Sequence, residues 1–409
     1  MGWVEHAVWW QVYPLGLTGA PVREPDLQAP APRLDRLIGW LDHAVALGAN
    51  GLLLGPVFAS TSHGYDTLDH LRIDPRLGDD DAFDRLVAAC RARGLRLVLD
   101  GVFNHLGAAH PLVTQALEEG PEGEYSDWFR IDWSAPGGPS PDVFEGHGGL
   151  VELNHGSPGV SGFVGDVMTH WLDRGADGWR LDAAYRVPPA FWAGVLPRVR
   201  ERHPGAWFVG EVLHGDYAAY VHDSTLDSVT QYELWKAVWS SLADGNFFEL
   251  DWALRRHSGF LETFLPQTFV GNHDVTRIAS KVGAEAAVLG FVVLMTVGGV
   301  PSVYYGDEWA LTGIKEDRLG GDDAIRPEMP PEPPPAALRI FRAHQDLVGL
   351  RRRHPWLVGA RTTAETTTNT RYVYETSDGS SSLIVELDVT GSGPRARVLD
   401  GTEVLFDWG

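Results

Sequence analysis

The chain has 409 residues and a net charge of -22, with 44% hydrophobic and 22% charged residues. This composition is ordinary for a globular protein. The acidic excess argues against nucleic acid or an anionic membrane as partner, because both bind to basic surfaces. The single cysteine, Cys90, excludes an internal disulfide and a cysteine-based metal site. We find no signal-peptide pattern and no apolar stretch of membrane-spanning length, so we expect a cytoplasmic protein.

Strand-like and helix-like segments alternate along most of the chain. The strand-like segments are dense in apolar residues without clean alternation, which is typical of parallel strands covered on both faces. They lie at residues 7–13, 51–55, 95–100, 178–182, 207–211, 226–231, 268–272 and 300–305. Amphipathic segments at residues 33–47, 80–93, 159–174, 188–202, 233–242 and 285–297 separate most of them. Eight such units predict an α/β fold in which a (β/α)8 TIM barrel closes on itself.

Two regions depart from this alternation. Residues 106–158 follow the third strand, are rich in Gly, Pro, Ser and aromatic residues, and show neither helical nor strand periodicity. A segment of that length inside a compact domain is usually a functional excursion, so we expect an inserted subdomain that walls a cleft. After a helix-like segment at 336–353, β-alternating runs predict a small antiparallel domain. The expected division is a barrel at 1–105 and 159–354, the insertion at 106–158 and a C-terminal β domain at 355–409.

Acidic residues follow four of the predicted strands. Asp182, Glu211 and Asp274 each end a short motif after an apolar run, and the motif at 100–105 (Asp-Gly-Val-Phe-Asn-His) ends another. A carboxylate directly after a buried strand is costly unless it is paired or lies in a functional opening. Barrel enzymes carry their chemistry at the carboxyl ends of the strands. We therefore expect these carboxylates to meet in one active site.

Paired carboxylates suit the cleavage of a glycosidic bond. Retention of configuration needs two carboxyl groups about 5 Å apart, a nucleophile and a general acid that later acts as base. Arg180 lies two residues before Asp182, on the same side of the strand, so we expect it to lower the pKa of Asp182 and keep it ionised. Glu211 follows apolar residues, which should raise its pKa and suit proton donation. Asp274, with His273 and His105, would hold sugar hydroxyls and stabilise developing positive charge.

The order and spacing of these motifs resembles glycoside hydrolase family 13, the α-amylase family. The resemblance implies that Asp182 is the nucleophile, Glu211 the acid/base and Asp274 the stabiliser of the transition state. It also implies that Tyr65, His105, Arg180 and His273 shape the subsite around the reacting sugar. The matching segments lie at 10–14, 63–66, 100–105, 150–154, 178–182, 210–212, 272–274 and 304–308.

Within the family, the segments 65–69 and 210–214, the second ending in His214, look most like the cyclomaltodextrinase and neopullulanase group, which acts on short or cyclic α-glucans. The extra N-terminal β domain of that group has no counterpart before the first predicted strand. Residues 183–186 read Ala-Ala-Tyr-Arg instead of the Lys-His pair of many liquefying amylases, which argues against endo-action on starch. Asn104 matches a typical calcium ligand of the family, so calcium is a possible cofactor, although the insertion has few clustered acids.

Two further features bear on specificity. Asp66 and Arg326 resemble an aspartate and an arginine that pair across the pocket floor in α-glucosidase-like members. Such a pair would block the cleft and favour cleavage from the non-reducing end; the alternative is an ordinary surface ion pair. Among 16 tryptophans, Trp128, Trp133 and Trp309 lie in loops or just past a strand end and are the better candidates for stacking on sugars.

The sequence thus predicts a retaining hydrolase that cleaves α-1,4-glucosidic bonds of maltooligosaccharides or cyclodextrins through a covalent glycosyl-enzyme. An α-glucosidase, or a transglycosylase or isomerase of the same family acting on small α-glucosides, is the alternative, because only the acceptor differs after the covalent step. A non-catalytic binding barrel is a remote alternative, since such proteins typically lose a catalytic carboxylate. Product analysis with maltotriose, maltose, sucrose and trehalose would separate these functions. The oligomeric state is left open.

Overall fold

Eight parallel strands form a closed barrel. The computed structural model describes residues 2–23, 30–335, 337–391 and 393–409. The strands are β1 (Trp9–Val12), β2 (Gly51–Leu54), β3 (Arg96–Gly101), β4 (Gly178–Leu181), β5 (Trp207–Gly210), β6 (Ser228–Val229), β7 (Gln267–Phe269) and β8 (Val300–Tyr304). The sheet has the order β6-β5-β4-β3-β2-β1-β8-β7, and a bridge between Thr230 and Gln267 joins its two edge strands. This confirms the predicted TIM barrel.

Aromatic packing fills the amino-terminal end of the barrel. The rings of Trp9 and Trp207 stack with centroids 5.3 Å apart, and Leu53 and Val98 belong to the same buried cluster. Gly51 faces this stack, since a Cβ there would lie 2.3 Å from the Trp9 ring. The apolar strand residues therefore close this end, and polar groups collect at the opposite, carboxyl end.

Helices cover the outside of the barrel. Asp79 caps one of them by accepting a hydrogen bond from the Ala82 N–H, and Gly48, at a φ of 99°, ends another in the left-handed conformation. In the described residues no helix is long and apolar enough to cross a membrane. The helices are α1 (Pro14–Leu17), α2 (Arg33–Leu47), α3 (Asp80–Ala92), α4 (Pro111–Glu119), α5 (Pro158–Asp173), α6 (Pro189–Arg202), α7 (Tyr217–Ser224), α8 (Tyr232–Asp244), α9 (Phe248–Phe260), α10 (Ile278–Val282), α11 (Ala284–Thr296) and α12 (Ala337–Arg353).

The sequence patterns did not predict every element. Helix α9 was missed because its buried face mixes Leu250 and Leu254 with Asp251 and His257, which weakens the apolar periodicity. Helix α4 lies inside the segment that showed no periodicity. A short hairpin after β2, formed by Phe58–Ser60 and Thr67–Ile73, was also missed, and its turn carries two of the predicted site residues.

The segment after β3 is built on short ladders. The strand His105–Gly107 pairs with Leu150–Glu152, and Ile131–Asp132 pairs with Ser140–Pro141. The pairing of His105 with Glu152 anchors the base of this segment at the carboxyl end of the barrel. The segment therefore rises directly beside the predicted active site.

Five antiparallel strands form a separate sheet at the end of the chain. The β-alternating runs at 371–375, 382–387 and 396–399 predict the middle three. The strands pair in sequential order and are β9 (Arg361–Thr367), β10 (Arg371–Ser377), β11 (Ser382–Asp388), β12 (Arg395–Asp400) and β13 (Glu403–Trp408). The sheet docks on the barrel helices through buried polar contacts. The Tyr374 hydroxyl lies 2.6 Å from the Thr296 hydroxyl, and the Trp408 indole N–H donates to the Glu285 carbonyl at 3.2 Å.

Buried neutral histidines predict acid sensitivity. Burial lowers the pKa of His70, His257 and His344 to about 4. Because the unfolded chain titrates near pH 6.5, it binds protons that the native protein does not, so stability falls as pH drops from about 6.5 towards 4. As the pH falls through this window, we expect the free energy of unfolding of His344→Gln to decrease by about 1.4 kcal/mol less per pH unit than that of the wild type, as measured by urea unfolding.

The matched control is His222→Gln, because the His222 side chain is 83% exposed. This variant should keep the wild-type dependence on pH. Equal pH slopes for His344→Gln and the wild type would show that His344 is not held neutral in the native state.

Candidate active site

The parallel register brings the predicted carboxylates together at the carboxyl end of the barrel. The Asp182 N–H donates to the Gly101 carbonyl at 3.0 Å, and the Glu211 N–H donates to the Leu181 carbonyl at 2.9 Å. These bonds extend the ladders between β3, β4 and β5 by one residue, which places both side chains at the same level. Asp182, Glu211 and Asp274 line one cleft with a volume of about 780 Å³.

A buried guanidinium group organises these acids. One Arg180 nitrogen lies 2.7 Å from both Asp100 oxygens and 3.3 Å from Asp182. The other lies 2.8 Å from Glu211 and 3.9 Å from Asp274. The Arg180 side chain is 3% exposed, so solvent screens its positive charge poorly and the charge attracts all four carboxylates.

The expectation for the pKa of Asp182 was wrong in direction. Burial and the neighbouring Glu211 carboxylate raise this pKa well above the ordinary aspartate value, and they outweigh the attraction of Arg180. Arg180 lies closer to Asp100 and Glu211 than to Asp182, and its lowering effect on the pKa of Asp182 is smaller than the raising effects of burial and Glu211. The neighbouring Glu211 carboxylate therefore adds to the burial that opposes ionisation of Asp182.

Asp274 has the opposite electrostatic setting. Burial alone would raise its pKa, but His273, Arg326 and Arg180 hold that pKa well below the ordinary value. The His273 Nε2 atom lies 2.9 Å from one Asp274 oxygen, and an Arg326 nitrogen lies 2.9 Å from the other. Asp274 is therefore a fixed negative charge at the edge of the cleft.

The backbone and a tyrosine hold Glu211 in place. Its Oε2 atom accepts from the Ala183 N–H at 3.0 Å, and its Oε1 atom accepts from the Tyr232 hydroxyl at 3.2 Å. Ala183 has a φ of 46°, a left-handed conformation that is costly for a residue with a Cβ and that clusters at functional sites. The side chain of Asn272 donates to the Tyr232 oxygen at 2.8 Å and so orients the hydroxyl towards Glu211.

Aromatic and histidine rings border the other end of the cleft. The Tyr65 hydroxyl donates to Asp100 at 3.0 Å, and its ring lies parallel to that of His273, with centroids 5.4 Å apart. The His105 Nε2 atom lies 3.0 Å from the Tyr65 carbonyl, and Phe144 stacks on the His105 ring. Burial lowers the pKa of His105 to about 4, so this ring is neutral near pH 7. The predicted subsite residues Tyr65 in the hairpin, His105 after β3 and His273 after β7 thus lie together.

The expected pair between Asp66 and Arg326 does not form. Asp66 accepts hydrogen bonds from the backbone and hydroxyl of Ser62, at 3.1 Å and 2.6 Å. Arg326 pairs with Asp274 and, at 3.2 Å, with Asp322. No Asp66–Arg326 contact occurs among the ion pairs of the described residues, because each side chain is satisfied by a neighbour on its own side of the pocket. His214 is exposed, and its ring centroid lies 6.5 Å from that of the cleft residue Tyr185.

The surroundings of Asn104 do not fit calcium. This side chain is 2% exposed, and its amide nitrogen lies 3.1 Å from the His105 Nδ1 atom. Calcium requires six to eight oxygen ligands. In the part of the chain that the structure describes, no group of three or more His, Cys, Asp or Glu side chains could hold a metal ion. We therefore assign no step of the chemistry to calcium.

The inserted segment is tied across the cleft by a residue pair that the motifs did not reveal. The Tyr185 hydroxyl donates to Glu145 at 2.7 Å, and both side chains line the cleft. Glu145 has a φ of 49°, a left-handed backbone conformation that is uncommon for a residue with a side chain. Nearby, Arg186 lies 3.3 Å from Glu152. Two polar links therefore connect the loop after β4 to the inserted segment.

The expectation for tryptophans in the cleft was wrong. Trp309 is 6% exposed and packs on His43, and neither Trp128 nor Trp133 lines the cleft. Trp235 and Trp252, on α8 and α9, line it instead. The signal that could have found Trp235 is its spacing of three residues from Tyr232, on a helix that starts at the carboxyl end of β6.

Comparison with known proteins agrees with this geometry. The family profile described as alpha amylase, catalytic domain, matches residues 33–357. A cyclomaltodextrinase from Bacillus sp is 30% identical over 98% of this chain and 75% of its own length. Neopullulanase 2 from Thermoactinomyces vulgaris is 31% identical over 86% of this chain, which spans 63% of that relative. These two names confirm the expected likeness to the cyclomaltodextrinase and neopullulanase group.

A solved structure extends the comparison. The cyclic alpha-maltosyl-(1→6)-maltose hydrolase from Arthrobacter globiformis superposes with a TM-score of 0.82 and 29% identity, covering 94% of this chain and 91% of that one. The family match covers well over half of the chain, and the site lies within it. The chain therefore belongs to the alpha-amylase family of glycoside hydrolases, enzymes that act on O-glycosyl bonds.

Proposed function

We propose that this protein is a retaining hydrolase of α-1,4-glucosidic bonds in maltooligosaccharides or cyclic α-glucans. The observation that carries the proposal is the pair of carboxyl groups of Asp182 and Glu211, whose oxygens contact the two terminal nitrogens of one Arg180 guanidinium. Such a pair suits the closely spaced carboxyl groups of a double-displacement mechanism. Arg180, Asp182 and Glu211 come from adjacent strand ends of a rigid barrel.

The resemblance of these motifs to those of the alpha-amylase family assigns Asp182 as the nucleophile and Glu211 as the general acid. Glu211 protonates the glycosidic oxygen while Asp182 attacks the anomeric carbon, so the glycosidic bond breaks and an ester to Asp182 forms. Glu211, now ionised, takes a proton from water, and the hydroxyl adds to the anomeric carbon as the ester bond breaks. Asp274, held ionised by its cationic neighbours, stabilises the positive charge of both transition states.

The names of the relatives support the substrate class. A cyclomaltodextrinase and a hydrolase of a cyclic maltosyl-maltose resemble this chain over most of its length. The link between Tyr185 and Glu145 walls the cleft, as expected for a site that receives short or cyclic chains. The α-glucosidase alternative rested on the Asp66–Arg326 pair, so it has no structural observation in its favour.

Substitution of the paired carboxylates tests the covalent mechanism. We expect Asp182→Asn and Glu211→Gln each to reduce kcat on maltotriose by roughly 10²-fold to 10⁴-fold or more, because each removes a group that acts in the transition state. Glu262→Gln, at an exposed carboxylate paired with Arg361, is the matched control and should keep full activity. NMR of the first product should show the α-anomer. Formation of the β-anomer would rule out retention.

The burial of Asp182 predicts a shift in pH dependence. Because burial, ahead of the neighbouring Glu211 carboxylate, raises the pKa of Asp182, the acid limb of kcat/KM should lie above the ordinary aspartate value of about 3.9. Dinitrophenyl α-maltoside is the suitable substrate, since its leaving group needs no general acid and the limb then reports the nucleophile. An acid limb at or below the ordinary aspartate value would contradict the raised pKa.

The walled cleft predicts a preference for short chains. We expect kcat/KM on maltotriose or β-cyclodextrin to exceed that on soluble starch by at least about tenfold, which needs about 1.4 kcal/mol of differential transition-state binding. The value of kcat/KM is measured for all three substrates under one condition and is expressed per substrate molecule. Equal or better efficiency on starch would show that the cleft is open at both ends.

A further inference from the structure

An aromatic surface extends the cleft from the general acid towards solvent. It begins at Tyr232, which donates to Glu211, and continues to Trp235, whose ring packs edge-on against Tyr232 with centroids 5.7 Å apart. Trp252, on the neighbouring helix α9, lines the same cleft, and the Lys236–Glu249 ion pair joins α8 to α9 between the two tryptophans. The surface therefore starts at Glu211 and continues across these two helices.

Trp252 is exposed and yet held in place from behind. The residue is 57% exposed, and the Arg256 guanidinium lies 5.0 Å from its ring centroid. Arg256 is in turn fixed by Glu233, which accepts two hydrogen bonds from it at 2.7 Å and 3.0 Å. A forked ion pair of this kind is more rigid than a single contact. It supports one side of the indole and leaves apolar ring surface towards the cleft.

Polar groups border this aromatic surface. Lys236 and Glu249 form an ion pair, and both line the cleft beside Trp252. An exposed apolar surface with a polar rim is typical of a ligand-binding groove. A glucosyl unit matches it, because the C–H groups of the sugar can pack on the indole face while its hydroxyl groups reach charged neighbours at the edge.

We propose that Trp252, with Trp235, forms a stacking site for glucosyl units on the leaving-group side, beyond the sugar next to the cleaved bond. The proposal rests on the proposed function, because Glu211 marks the leaving-group side only if it is the general acid. The site makes chain length on that side a determinant of specificity. Its ligand is a linear or cyclic α-glucan that extends at least two units past the scissile bond.

The alternative occupant of an exposed tryptophan is another protein. Phe248, on the same helix, is 52% exposed but does not line the cleft. Trp252 differs from Phe248 in its continuity with the catalytic carboxylates and in its support by Arg256. Phe248→Ala therefore provides a matched control of similar exposure outside the proposed site.

The test compares substrates that differ in leaving-group length. Maltohexaose places sugars along the proposed site, whereas dinitrophenyl α-maltoside places none there. For Trp252→Ala, we expect kcat/KM on maltohexaose to fall at least tenfold more than on the aryl maltoside. Trp252→Phe, which keeps an aromatic ring, should give an intermediate loss. Phe248→Ala should leave both values within twofold of the wild type.

Each outcome has a distinct meaning. Equal losses on the two substrates would show that Trp252 acts through the fold, and no loss on either would show that sugars do not contact it; both results overturn the proposal. Wild-type protein that cleaves neither substrate would overturn the proposed function instead. Circular dichroism of Trp252→Ala confirms that a selective loss comes from the folded protein.

Discussion

The active site depends on one buried cation. Arg180 is almost fully enclosed, and its two terminal nitrogens contact or approach four carboxylates from three neighbouring strand ends and from the loop after β7. Without this charge, Asp100, Asp182 and Glu211 would be buried acids in mutual repulsion, and loss of one partner of a buried ion pair typically costs about 3–5 kcal/mol. The same burial and crowding of carboxylates raise the pKa of Asp182. Stability of the barrel opening and the chemistry proposed for it therefore rest on the same interaction.

The barrel makes such a concentration of charge tolerable. Apolar packing, with Trp9 and Trp207 at its centre, fills the amino-terminal end, so the cost of the acidic end is offset elsewhere in the fold. The parallel register then sets the height of each carboxylate, because the ladder bonds of Asp182 and Glu211 continue those of β4 and β5. Small backbone departures complete the arrangement. Ala183, which adopts the left-handed conformation, donates its N–H to Glu211 and begins the turn after β4.

Loops and peripheral helices, in contrast, shape what the cleft accepts. The inserted segment contributes Glu145, which reaches across to Tyr185, and the helices after β6 contribute Trp235 and Trp252. Glu145 and Trp235 line one cavity, although 90 residues separate them along the chain. Catalytic groups at the barrel rim thus combine with loops and helices that shape the cleft, as is general for barrel enzymes.

The sequence by itself determined the barrel, the positions of its strands and the three carboxylates, because apolar runs that end in acidic residues are local patterns. Tertiary structure alone decided the direction of the pKa shift of Asp182, since that depends on burial and on the neighbouring Glu211 carboxylate, which together outweigh Arg180. It also decided the partners of Arg326, which pairs with Asp274 and Asp322 instead of Asp66, and the choice of Trp252 over Trp309 as a cleft residue. Electrostatic shifts and exposure are sums over neighbours distant in the chain, so no local pattern encodes them.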